Sequence, residues 1–416
     1  MDQNIVVLGA STSNLMKLSR QVKEETGQVP LEITSLANAR SSLTEALADT
    51  LIVELDSLQA HSPLAELRSF LEWLQSSGAV RRLLIVCTSQ LSIELAPLFD
   101  FILACHVPSN EPSNEPSNEP SNEPSSDLRL LLDDSSSIGN LVELKGFESR
   151  CIEADGNCFS TQMEEMFPLL EQLERIAVHD AAILLIGETG TGKSHLANIV
   201  HRLSPRSGER FMNTACGALP PSLIESELFG HTRGAFTGAD RNKVGRFEAA
   251  QGGTLLLDEI DTLGPSEQAK LLRVIETGEF EPVGSTETRR VDVRLIAASN
   301  VDLRELASRN EFRSDLFYRM SVLEFHLLPL RERSLDIVPL AAGFISQAAT
   351  ERNVSINSVD IDFLIRLKEY SWPGNVRELR NQMSRAVMLS HDGRLTVDTL
   401  SPSTHNTVSR AKTKSR

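Results

Sequence analysis

The apolar run Ile183-Leu184-Leu185-Ile186 leads without a break into Gly187-Glu188-Thr189-Gly190-Thr191-Gly192-Lys193-Ser194, and then into a helix-forming stretch, His195–Leu203. A buried-type strand, a glycine-rich turn and a helix in that order commit this part of the chain to an α/β core. The same order is a phosphate cradle. Glycines let backbone N–H groups turn inward, and the helix N-terminus adds the positive end of its dipole. Lys193 can reach the β- and γ-phosphates of a nucleotide, and the Ser194 hydroxyl can ligate Mg²⁺.

A second apolar strand ends in two acids 64 residues beyond Ser194: Thr254-Leu255-Leu256-Leu257-Asp258-Glu259. Asp258 is placed to help Ser194 hold the metal, and Glu259 to polarise a water that attacks the γ-phosphate. A third run, Val293–Ala298, ends at Ser299-Asn300, where a polar side chain could sense that phosphate.

Residues 1–106 alternate short apolar runs (Ile5–Leu8, Leu51–Leu55, Leu83–Val86, Phe101–Ala104) with helical periodicity over Leu43–Leu47 and Leu64–Leu74. That alternation predicts a doubly wound α/β unit. The arrangement resembles a response-regulator receiver domain, with Asp56 where a phosphoacceptor would stand and Thr88 or Ser89 where a switch hydroxyl would stand. The acidic pair expected after the first strand is replaced by Leu8-Gly9-Ala10-Ser11, and the late lysine by Ala104-Cys105-His106. The resemblance therefore implies a degenerate receiver that a phosphoryl donor does not label.

Pro-Ser-Asn-Glu then repeats four times from Pro108 to Glu123. A proline every fourth residue blocks helix and ladder, so residues 107–127 read as a solvated linker. The chain's net charge of −16 is concentrated nearby: residues 101–200 hold 17 acidic and 5 basic side chains. An acidic chain is not a general nucleic-acid binder. Without an apolar run of membrane length or a basic leader, it reads as cytoplasmic, with no membrane partner. Five scattered cysteines fit reduced thiols; Cys151 and Cys158 are the only close pair, and no further Cys or His completes a zinc pattern.

Gly234-Ala235-Phe236-Thr237-Gly238-Ala239 carries the decisive resemblance. With Phe312-Arg313-Ser314-Asp315-Leu316-Phe317-Tyr318-Arg319, Leu328–Arg333 and Trp372-Pro373-Gly374-Asn375-Val376-Arg377-Glu378-Leu379 following in order, the chain resembles the sigma-54-dependent transcription activators, a branch of the AAA+ ATPases. The resemblance implies an AAA+ P-loop core with a helical lid, ATP and Mg²⁺ as cofactors, and ATP hydrolysis that remodels sigma-54 RNA polymerase. It implies that the 234–239 segment contacts sigma-54, with Phe236 and Thr237 as contact residues. Arg313 and Arg319 would act as fingers on a neighbour's ATP in a homo-oligomeric ring, usually a hexamer, and Arg377 would contact phosphate in cis.

Two departures qualify the match. The segment Asn213-Thr214-Ala215-Cys216-Gly217-Ala218-Leu219 has Ala215 where the family carries an asparagine that restrains the catalytic glutamate. Asn213 or Thr214 substitutes for it, or Glu259 is less restrained. After the lid about 20 polar residues remain, too few for a helix-turn-helix, so no dedicated DNA-binding domain is expected in this chain. An ATP-binding subunit that joins rings of a paralogous activator stays open as the alternative. The chain divides into a receiver-like domain (1–106), linker (107–127), connecting segment (128–161), ATPase core (162–329), lid (330–397) and basic tail (398–416).

Overall fold

The computed structural model describes residues 5–26, 29–45, 48–77, 80–87, 90–92, 95–96, 106–108, 149–218 and 220–401. They form two compact units, residues 1–148 with 337–370 and 380–416, and residues 149–336 with 371–379.

In the first unit five strands, β1 (Ile5–Leu8), β2 (Leu31–Ile33), β3 (Ala48–Glu54), β4 (Val80–Cys87) and, after a short β5 (Gln90–Ser92), β6 (His106–Pro108), build one parallel sheet in the order β2-β1-β3-β4-β6. This is a doubly wound order. Helices α1 (Thr12–Thr26), α2 (Leu36–Glu45), α3 (Leu55–His61) and α4 (Leu64–Ser77) connect the strands. Leu15, Leu18 and Val22 of α1 meet Ile5 and Val7 of β1, the i, i+3, i+7 face that buries a helix on a sheet. The periodicity expected over Leu43–Leu47 belongs to a helix that begins earlier, at Leu36. Strand β2 has only three residues, two of them exposed, and so left no apolar run to read. Strand β6 takes Val107 and Pro108 from the expected linker. The Phe101–Ala104 run, Thr88, Ser89, the remaining repeat and the Asp56 side chain lie outside the described residues.

The helical lid expected over 330–397 includes helices Ile361–Glu369 and Asn375–Leu389. Phe363, Leu364 and Leu367 face inward from the first, and Leu379, Met383, Ala386 and Val387 from the second. Strand Ser358–Asp360 pairs with Arg394–Leu395 on one edge and antiparallel with β5 on the other. Thr399 and Leu400 are buried, so packed structure continues into the stretch expected as tail.

The second unit opens on a hairpin, β7 (Arg150–Ala154) and β8 (Asn157–Thr161), where a connecting segment was expected. Its turn is Asp155-Gly156, both at positive φ (48° and 74°), the turn chemistry that joins two strands in two residues. Next come β9 (Ile183–Ile186), β10 (Phe211–Ala215), β11 (Thr254–Asp258), the small ribbon β12 (Glu279–Phe280) and β13 (Arg289–Arg290), then β14 (Arg294–Ser299) and β15 (Glu324–His326). The main sheet is parallel in the order β10-β11-β14-β9-β15. Its inner strands are buried on both faces, as their continuous apolar runs require. Leu184, Ile186, Leu255 and Leu257 face one core, and Ile183, Leu185, Leu256 and Ile296 the other. Arg294 is buried inside β14 because its guanidinium donates to the carbonyls of Ala177 (2.7 Å) and Ile176 (3.4 Å), which end helix Phe167–Ala177.

Candidate functional site

Order β10-β11-β14-β9 brings the C-terminal ends of the three predicted strands side by side, where open α/β sheets hold ligands. The loop after β9 and the N-terminus of helix Lys193–Arg202 form the cradle. Lys193 is 4% exposed, and its ammonium donates to Gly187 O (2.6 Å), Glu188 O (3.0 Å) and Asn300 Oδ1 (2.9 Å). Burial lowers its pKa, while the carboxylates of Asp258 and Asp261 raise it. Ser194 Oγ donates to Asp258 Oδ2 at 2.7 Å. Two oxygen donors at this distance suit a hard cation such as Mg²⁺, so the residues fit the metal expected of them.

Asp261 was not singled out in the sequence. It accepts from Ser299 Oγ (3.0 Å) and the Asn300 amide (3.1 Å), and so fixes Asn300 opposite Lys193. Arg331 and Asn375 were missed as well. Arg331 makes a two-pronged bond to the Glu188 carboxylate (2.8 and 2.7 Å). The buried Asn375 donates to Glu188 Oε2 (3.2 Å) and Thr189 O (3.0 Å) and accepts from the Leu330 amide (2.7 Å). Arg331 first, then Asn375, lowers the Glu188 pKa. A methyl at Gly190 would overlap the Gly374 carbonyl, and Gly190 O accepts from the Arg377 amide (3.3 Å). Residues 374–377 therefore lie directly on the phosphate loop, which the spacing along the sequence did not show. Arg377 is itself exposed, and its charge helps lower the Lys193 pKa.

Glu259 follows β11 at a φ of 57°, with its amide donating to Asp258 Oδ1 (3.0 Å). Its carboxylate lies over Gly217, where even a methyl group would collide with Oε2. Neither candidate substitute for the missing asparagine holds it. Asn213 is exposed, and the buried Thr214 hydroxyl has no partner. Cys216 is buried beside these acids, and burial followed by the Asp258 charge pushes its thiol up to about 12.

The 234–239 segment stands on a narrow neck. His231 and Lys243 pair across it, and Gly230 approaches Gly245 so closely that a side chain at either would overlap backbone. Phe229, stacked on Phe247 (5.6 Å) and tilted on Phe280 (6.0 Å), roots the neck in the core. At the tip Gly234 and Gly238 take φ of 84° and 97°, and the Gly234 amide donates to Ala239 O (2.8 Å). Phe236 is 38% exposed, edge-on to His231 at 5.0 Å, and Thr237 is exposed.

Arg313 and Arg319 are not brought to this nucleotide cradle. Both are exposed, at the start and near the end of helix Ser314–Met320, whose Leu316, Phe317 and Met320 face the core. Arg313 pairs with Asp315 (2.7 Å). No helix among the described residues is long and apolar enough to cross a membrane.

Residues 159–326 match the Sigma-54 interaction domain, and residues 331–416 the AAA+ ATPase lid domain. The Nif-specific regulatory protein of Azospirillum lipoferum is 42% identical over 292 residues, 66% of this chain and 46% of that protein. The formate hydrogenlyase transcriptional activator FhlA of Escherichia coli is 47% identical over 227 residues, 55% of this chain and 33% of that protein. The chain thus spans less than half the length of these relatives. NtrX of Brucella abortus, solved in complex with ATP, shares the fold with a TM-score of 0.54 at 24% identity, covering 97% of this chain and 88% of that one. Over residues 159–416 the chain belongs to the sigma-54 interaction family of AAA+ ATPases, with core and lid in that family's order.

Proposed function

We propose that this chain hydrolyses ATP and uses the cycle to remodel sigma-54 RNA polymerase so that the promoter opens. The observation that carries the reading is the pairing, within one compact unit, of an assembled phosphate cradle with an exposed GAFTGA tip on a neck rooted in the same core. The solved ATP complex of NtrX, a protein of the same fold, is in keeping with it.

The phosphate-loop amides and Lys193 hold the β- and γ-phosphates, and Asn300 reads the γ-phosphate through its bond to Lys193. Ser194 and Asp258 hold Mg²⁺, which when bound neutralises charge on the phosphates. Glu259 orients the attacking water and accepts its proton as the water oxygen bonds to phosphorus and the bond to the β-phosphate oxygen breaks. Arg313 and Arg319 of a neighbouring copy stabilise the charge on the transferring phosphoryl, so hydrolysis requires a ring, of the hexameric type usual in the family. Arg377, against the phosphate loop, reports closure of the lid. Phe236 and Thr237 contact sigma-54, an aromatic anchor on a small exposed tip.

Binding to purified sigma-54 in the presence of an ADP–metal fluoride complex tests the target. Thr237→Ala should abolish the complex and leave ATP hydrolysis within about twofold. A Thr237→Ala chain that binds as the parent does removes sigma-54 contact from this loop.

A further inference from the structure

Hairpin β7–β8 has two unlike faces. Ile152, Phe159 and Thr161 are buried on the inner one, while Cys151, Glu153 and Cys158 stand exposed on the outer one. The register puts Glu153 directly across from Cys158, and Cys151 across from Ser160, so the two cysteines are diagonal neighbours. One ligand atom from each of Cys151, Glu153 and Cys158 lies within 4.8 Å of the other two. Donors around a tetrahedral zinc ion stand about 3.3–3.8 Å apart, a distance that side-chain rotation alone can supply.

We propose that Cys151, Glu153 and Cys158 form a binding site for a thiophilic divalent cation of the Zn²⁺ type. Two sulfurs and one carboxylate oxygen fill three tetrahedral positions, and water takes the fourth. Sulfur donors select this class over Mg²⁺ or Ca²⁺, which take oxygen. Binding releases the two thiol protons and changes no oxidation state. A disulfide suits the pair less well, because diagonal partners on a ladder stand about 7–8 Å apart at Cα against an upper limit near 6.8 Å. The inner face gives the site a consequence. The Phe159 ring rests against Gly192 of the phosphate loop, and Cys158 O bonds His195 Nε2 of the following helix at 3.0 Å. A cation that ties β7 to β8 stiffens the platform beneath the phosphate loop. The site does not depend on the ATPase reading and shares no residue with it.

Titrating Co²⁺ into the reduced full chain tests the proposal, because thiolate ligation gives a sulfur-to-cobalt charge-transfer band. The expected result is one Co²⁺ per chain with that band, displaced by one equivalent of Zn²⁺. Cys151→Ser and Cys158→Ser should each abolish the band, Glu153→Gln should weaken binding at least tenfold, and Cys216→Ser should leave the band unchanged. The proposal is overturned by the absence of the band, or by a band that survives Cys151→Ser and Cys158→Ser, including one lost only in Cys216→Ser.

Discussion

At the scale of single residues, the position of Glu259 depends on what is missing from its neighbour. Its left-handed backbone is a conformation that costs a non-glycine residue about 1–3 kcal/mol, held here by the end of β11 and the bond to Asp258. Among the described residues no hydrogen-bond donor reaches its carboxylate, which occupies the space a side chain at residue 217 would fill. Gly217→Ala should therefore drive the carboxylate out of place and lower kcat for ATP hydrolysis by about 10²-fold, with ATP affinity little changed. Steady-state kinetics beside equilibrium nucleotide binding measure the two separately. An unchanged kcat would mean that Glu259 does not act from this position.

At the scale of elements, the buried Arg333 fastens three of them. It lies over the Phe159 ring of β8 (5.7 Å), donates to Thr191 O of the phosphate loop (3.2 Å) and faces Asp336 at 3.8 Å. Asp336 in turn accepts from Thr161 Oγ1 (2.8 Å) and the Gln162 amide (2.6 Å). Burial raises the Asp336 pKa and lowers that of Arg333, the signature of charges kept from water. Arg333→Met alone strands a buried carboxylate and should cost about 3–5 kcal/mol, while Arg333→Met with Asp336→Asn, which removes the charge and keeps an acceptor for the Gln162 amide, should recover most of that loss. Thermal unfolding of the two variants checks the difference, and equal losses would show that the packing rather than the pair matters. Strands β9, β11 and β14 were legible because their apolar runs end in polar residues within a few positions. The clamp of Arg331 and Asn375 on Glu188 was not, because its members lie 143 and 187 residues from that glutamate and only the fold makes them neighbours. Hairpin β7–β8 did carry a local signal, Asp155-Gly156 between alternating residues, but short polar strands are easily taken for a connecting segment.

At the scale of the whole molecule, the exposure of Arg313 and Arg319 bears on how many copies the proposed hydrolysis requires. Helix Ser314–Met320 turns Leu316, Phe317 and Met320 to its own core, which leaves Arg313, at its N-cap, and Arg319, near its end, exposed. An active site completed in trans must lose activity on dilution and on removal of the donated guanidinium. ATP turnover per protomer, followed against protein concentration for the parent chain and for Arg313→Ala, is the direct measurement. Turnover should rise cooperatively with concentration in the parent, and Arg313→Ala should reduce kcat by about 10³-fold while it still binds ATP. ATP binding without turnover at any concentration, or an Arg313→Ala chain as active as its parent, would contradict a ring-forming ATPase.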